Sequence, residues 1–217
     1  MPLPPTHEAI VNAVRFIFRT VAIAALLLAP AIATAQGPVS TGKVTDGTTD
    51  LVWQVHVDPG SEGYFNAFLV DPRPGVWQAN SPGDYAWIGA SKSGTLPNGA
   101  GDGVPRFTYT YQTTFLGGAA TGATFRCAVD NALRSIILNG TAVTGECGVF
   151  GFGGIGTLSG FNAGSNTLQF VTTGDGVTDG LLVNIEAVTT TPEPASLALL
   201  ATGLVGLAVV SRRRRMA

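Results

Sequence analysis

The side chains able to do chemistry are few. Between residues 36 and 191 the chain has one histidine, His56. It lies in Leu51-Val52-Trp53-Gln54-Val55-His56-Val57, where apolar and polar residues largely alternate, so Leu51, Trp53, Val55 and Val57 would share one face and Gln54 and His56 the other, with Val52 the exception. A catalytic base needs a nucleophile or an orienting carboxylate beside it, and the neighbouring sequence supplies neither. His56 therefore reads as a surface or rim residue. No Gly-x-Ser-x-Gly elbow and no His-Glu-x-x-His motif occurs. The only cysteines are Cys127 and Cys147. A metal site needs more ligands than these two, and a catalytic thiol needs a partner histidine. In an oxidising compartment the pair reads as a disulfide. A loop of that length is worth about 3 kcal/mol in the chain-entropy account.

Carboxylates and aromatics carry the remaining options. Glycoside hydrolysis needs two carboxylates at the right separation. The stretch 36–191 has twelve acids, so a secreted glycan-active hydrolase stays open, although no pair is singled out by aromatic or basic neighbours. Asp102, Asp130, Asp175 and Asp179 lie in turn-like segments and have the hard oxygens that a structural calcium ion takes; plain acidic turns are the other reading. Trp77, Tyr85 and Trp87, with Tyr64, offer flat apolar faces that match the C–H face of a sugar ring, or else fill a core. Trp77 sits in a proline- and glycine-rich stretch, which suggests an exposed ring. The glycine-rich residues 150–156 lack the strand–helix context of a nucleotide loop. Six bases against twelve acids leave residues 36–191 at a formal −6, against −2 for the whole chain. Such a surface argues against nucleic acid as a partner.

The elements that must position these groups are strands. Short β-prone runs recur at 51–57, 64–70, 106–115, 124–129, 135–138, 167–172 and 181–188. Asp58-Pro59-Gly60, Asn139-Gly140, Gly174-Asp175-Gly176 and Asp179-Gly180 punctuate them as turns. No window in this stretch reads as an amphipathic helix. Many short antiparallel strands at this spacing predict an all-β domain, a jelly-roll-like β-sandwich, over residues 36–191.

Both ends carry addresses. Arg15 and Arg19 precede an apolar run at 21–29, and Ala33-Thr34-Ala35 offers small residues for cleavage before Gln36. Together they predict a secretory signal peptide over residues 1–35. At the other end, 192–217, come Pro192-Glu193-Pro194, an uncharged apolar run at 195–210, and Arg212, Arg213, Arg214 and Arg215. That run reads as a short C-terminal transmembrane helix over 195–210, although a spanning helix wants about 20 apolar residues. The arginine cluster would stop transfer with its end inside. The prolines stiffen an extended segment.

The order tripeptide, short apolar helix and arginine cluster resembles the PEP-CTERM sorting signal of Gram-negative bacteria. That resemblance implies recognition by an exosortase, use of the export machinery, transient residence in the inner membrane, and delivery to the cell surface or an exopolysaccharide and biofilm matrix. A second resemblance covers roughly 76–188. Asp130-Asn131 precedes Ile136-Ile137-Leu138-Asn139-Gly140, and Gly164-Ser165-Asn166-Thr167-Leu168 enters a later strand. This order is similar to the galactose-binding-like jelly roll. The expectation is an exported, non-enzymatic surface or matrix protein with weak affinity for carbohydrate. The alternatives are a secreted glycan-active hydrolase and a purely structural matrix component.

Overall fold

A computed structural model describes residues 37–190, 201–204 and 206. The chain divides into two compact units: Met1–Ala33 together with Pro194–Ala217, and Thr34–Glu193. In the first unit residues 201–204 and 206 are helical and exposed. The signal peptide expected over 1–35, the tripeptide Pro192-Glu193-Pro194, Arg212–Arg215 and most of the 195–210 run lie outside the described residues. Among the described residues no helix is long and apolar enough to cross a membrane.

The second unit is all-β and sandwich-like. Its strands are β1 (Thr49–Asp58), β2 (Phe65–Leu69), β3 (Ile88–Gly89), β4 (Phe107–Leu116), β5 (Ala120–Asp130), β6 (Ala132–Leu138), β7 (Thr141–Val143), β8 (Gly148–Val149), β9 (Gly156–Ser159), β10 (Ser165–Gly174) and β11 (Gly180–Thr190). They form one nearly closed sheet in the order β7-β6-β10-β4-β1-β2-β3-β11-β5-β8, with β9 also on β5. β5 and β8 pair in parallel; the other pairs are antiparallel. β4 shows why the sequence folds this way. Phe107, Tyr109, Tyr111, Thr113 and Phe115 alternate inward, with threonines, Gln112 and Leu116 between them. Trp53 on β1 and Phe125 on β5 meet Phe170 on β10 at ring-centroid distances of 5.9 and 5.7 Å, so both layers share one core.

One departure from alternation matters. Leu51 was expected to share the inner face with Trp53, Val55 and Val57, yet it is exposed. Asp50 is buried instead. Its Oδ1 accepts the N–H groups of Val52 and Trp53, both at 2.9 Å, and Oδ2 accepts that of Gly42 at 2.5 Å. The carboxylate satisfies the backbone at an irregularity in the β1–β2 register and turns Leu51 outward.

Two motif asparagines act on the backbone. Asn139 and Gly140 have φ of 51° and 79°, the left-handed pair that a two-residue hairpin between β6 and β7 demands. Asn166 is buried at the start of β10. Its Oδ1 accepts from Asn139 Nδ2 at 2.9 Å and from the Asn162 N–H at 2.8 Å. Its Nδ2 donates to the carbonyls of Asn162 and Gly164 at 2.8 and 3.0 Å. The expected disulfide between Cys127 and Cys147 is present and ties β5 to the segment entering β8.

Residues 37–42 run beside β11. The Thr41 N–H donates to the Val183 carbonyl at 3.0 Å, and Gly37 lies against Val188. Both chain ends of the unit therefore leave from one end of the sandwich. Gly180 marks the other end, about 33 Å away along the eleven residues of β11.

Candidate functional site

The far end gathers the acids singled out in the sequence. Asp130 closes β5, and Asp175 and Asp179 lie in the turn between β10 and β11. All three are buried. Asp179 Oδ2 accepts the Tyr109 hydroxyl at 2.5 Å and the Gly176 N–H at 2.7 Å, and Oδ1 accepts from Asn131 Nδ2 at 3.1 Å. The carboxylate lies directly over Gly174, where a Cβ would sit 2.1 Å from Oδ1. Asp175 accepts the N–H groups of Gly103 and Val177, both at 2.9 Å. Asp102, on the adjoining loop, is exposed and forms an ion pair with Arg106 at 2.5 Å.

Burial dominates the electrostatics here. It raises the Asp130 pKa to about 6, against the hydrogen bond from Trp77 and with help from the Asp179 and Asp175 charges. Asp179 is raised for the same first reason, although Tyr109 and Gly176 donate to it. The Tyr109 and Tyr111 phenols are pushed up by burial and then by the facing carboxylates. Asp102 goes the other way, held well below the usual carboxylate range by Arg106. The structure thus brings the four calcium candidates to one end of the body. Each carboxylate accepts from at least one N–H, O–H or guanidinium donor. Among the described residues no group of three or more His, Cys, Asp or Glu side chains is placed to hold a metal ion.

The aromatics expected at a sugar site are elsewhere employed. Trp77 is 3% exposed and Trp87 fully buried. The exposed ring expected of Trp77 is not found. Its indole packs on Trp87 with centroids 4.2 Å apart, and its Nε1–H donates to Asp130 Oδ2 at 2.9 Å. Trp87 Nε1–H donates to the Gln78 carbonyl at 2.8 Å. Tyr85 packs edge-on against Phe152 beside this small second core. With both indole faces covered, neither tryptophan offers a platform for a sugar ring.

The outward face of β1, β4 and β10 is a third place. Antiparallel pairing sets Gln54 opposite Gln112, and Gln112 opposite Gln169, in one row across three strands. Gln112 Nε2 donates to Gln54 Oε1 at 3.4 Å, and Gln169 Nε2 to Gln112 Oε1 at 3.3 Å. Tyr64, just before β2, reaches over this row. Its ring lies 5.6 Å from that of His56, and its hydroxyl accepts from Gln169 Nε2 at 3.3 Å. Tyr64 is 40% exposed. A shallow depression of about 220 Å³ beside the row is lined by Leu51, Val52, Gln54, Gln112, Thr113 and Thr114. Sequence alternation placed Gln54 and His56 outward and named Tyr64 as a ring. It did not bring Gln112 and Gln169 to them, because register between distant strands is not written in any one strand. A central glutamine in each of three alternating runs was the available signal.

The larger cleft, about 880 Å³, lies between the outer edges of β7 and β9 and includes Ala142, Val143, Ile155 and Thr157. It holds Glu146 as its one charged side chain among the described residues and none of the buried acids.

Comparison with known proteins gives two matches. Residues 190–215 match the PEP-CTERM protein-sorting motif. The chain is similar to part of a GH31 alpha-xylosidase (Xac1773) from Xanthomonas citri, at 12% identity and a TM-score of 0.36, over 76% of its length. This chain spans 16% of the length of that protein. No curated protein matches the chain. The sorting motif implies an exported protein that an exosortase recognises and sorts toward the cell surface.

Proposed function

We propose that the chain is a non-catalytic, exported protein of the cell surface or extracellular matrix, whose β-sandwich body has weak affinity for carbohydrate. The observation that carries this is the sorting motif at 190–215 directly after a disulfide-bonded body whose two chain ends leave from one end. The galactose-binding-like jelly roll belongs to the same proposal. Its support is the order in which Asp130-Asn131 joins β5 to β6, Asn139-Gly140 turns β6 into β7, and Asn166 on β10 bonds back to Asn139. The proposal includes no nucleic-acid partner and no cofactor; a structural calcium ion at the far end would need the acids there to give up the donors they now hold.

The burial of Trp53, Trp77 and Trp87 favours one second reading, a purely structural matrix component. A glycan-active hydrolase would need a carboxylate pair facing an open cleft. Asp130 and Asp179 are instead shut in by Trp77, Tyr109 and Asn131. Co-sedimentation of the secreted body with the producing cell's extracellular polysaccharide tests the proposal. Saturable retention supports it. An intact body that stays in the supernatant at every polysaccharide concentration leaves the structural reading.

A further inference from the structure

We infer that the outward face of β1, β4 and β10 is a binding surface for a neutral polysaccharide chain. Gln54, Gln112 and Gln169 would hydrogen-bond its hydroxyls, and Tyr64 and His56 would make the ring contacts. The inference rests on the carbohydrate reading above and assigns it a place.

Three features of the face select that ligand. First, apart from Asp58 at the end of β1, no outward side chain of β1, β4 or β10 is an Asp, Glu, Lys or Arg. The body as a whole carries twice as many acids as bases. A face without carboxylates or cations on such a body offers nothing to an ionic ligand and repels neither sign. Second, the groups it does present are amides. Each glutamine has two donors and one acceptor oxygen, which suits hydroxyls that both donate and accept. The cross-strand bonds between them, at 3.3–3.4 Å, are long. They hold the row in order and remain exchangeable for ligand hydroxyls. Neighbouring strands are about 4.8 Å apart, so the row is about 10 Å long and runs across the strands. Third, Tyr64 supplies a ring that is already placed. Contact with His56 on one side and the hydroxyl bond to Gln169 on the other fix the ring over the sheet. Fixing an aromatic platform before binding removes part of the ordering cost.

The test is a titration of the purified full-length chain, in a non-glycosidic detergent, against a soluble neutral glucan, a neutral galactomannan, the anionic polyuronate alginate and the producing cell's own polysaccharide. The same titrations are run on Gln112→Ala, Gln112→Glu, Tyr64→Ala and, as a control on β9, Thr157→Ala. Melting curves confirm that each variant is folded. The expected result is saturable binding of at least one neutral polysaccharide, with alginate weaker by at least about tenfold. Loss of the central amide or of the ring weakens it by about tenfold or more, the loss expected from one or two hydrogen bonds, and Thr157→Ala leaves it unchanged. Binding that survives Gln112→Ala and Tyr64→Ala overturns the placement and leaves the carbohydrate reading standing. Preference for alginate overturns the ligand class. Absence of binding to all four polysaccharides overturns both.

Discussion

Asp130→Asn should stabilise the body near neutral pH, because the native fold holds this carboxyl where its charge is disfavoured. Burial raises its pKa from an ordinary 3.8 to about 6. The native state therefore binds the proton more tightly than the unfolded chain does. The stabilisation due to protonated Asp130 is complete below about pH 4 and is lost as pH rises to about 6. A shift of about two units corresponds to about 3 kcal/mol at most. Asp130 lies at the end of the sandwich, where water screens it, so about half of that is a fair expectation. Asparagine keeps an oxygen for Trp77 Nε1, whose bond to Asp130 is 2.9 Å, and removes the charge facing Asp179. At pH 7.5 the variant should melt about 3–6 °C higher than the parent, given some 2–4 °C per kcal/mol for a domain of this size. At pH 4 the two should melt together. The assay is scanning calorimetry of both proteins at the two pH values, with Asp130→Leu as a third sample. Leucine leaves the indole N–H without an acceptor, and Asp130→Leu should melt below the parent at pH 4. An Asn variant that is less stable than the parent at pH 7.5, or a gain that is the same at both pH values, would refute the reasoning.

Asn166→Ala removes a buried amide that ties the β6–β7 turn to the β9–β10 loop, and should cost about 2–4 kcal/mol in denaturant unfolding with an unchanged m-value. Replacing Cys127 and Cys147 together by serine opens the one disulfide among the described residues. It should cost about 2–4 kcal/mol, read as a lower denaturant midpoint that reducing agent then leaves unmoved. Phe170→Ala takes out the ring that both Trp53 and Phe125 touch, and should cost about 3–5 kcal/mol; a loss below about 1 kcal/mol would show that the two layers do not share the core described above.

The long strands β4 and β10 were legible because each carries its own period. The runs at 106–115 and 167–172 announce their inner faces through Tyr109, Tyr111, Leu168 and Phe170 with no outside information. What was not legible depends on partners far away in the chain. Trp77 looked exposed among prolines and glycines. It is buried because Asp130, 53 residues on, accepts its N–H and Trp87 covers its ring. Leu51 looked buried by alternation and is turned out by the backbone bonds of Asp50. Strands of two to four residues, β3 and β7 to β9, are too short to show a period. The amide row depends on register, which pairs Gln54, Gln112 and Gln169 from segments more than fifty residues apart. The acids at 102, 130, 175 and 179 were legible as a set, but their donors were not. Tyr109 and Trp77 come from strands and loops on which nothing local points to a carboxylate.

The most direct test of the account is to follow the body out of the cell: fractionation of the producing cells, with intact-mass measurement of the chain in each fraction. The account predicts a chain outside the inner membrane, oxidised at Cys127 and Cys147, starting near Gln36, and retained with the extracellular polysaccharide until competing neutral glycan releases it. A chain that stays inside the cell with both cysteines reduced, or one that is exported yet passes through the polysaccharide without retention, would contradict it.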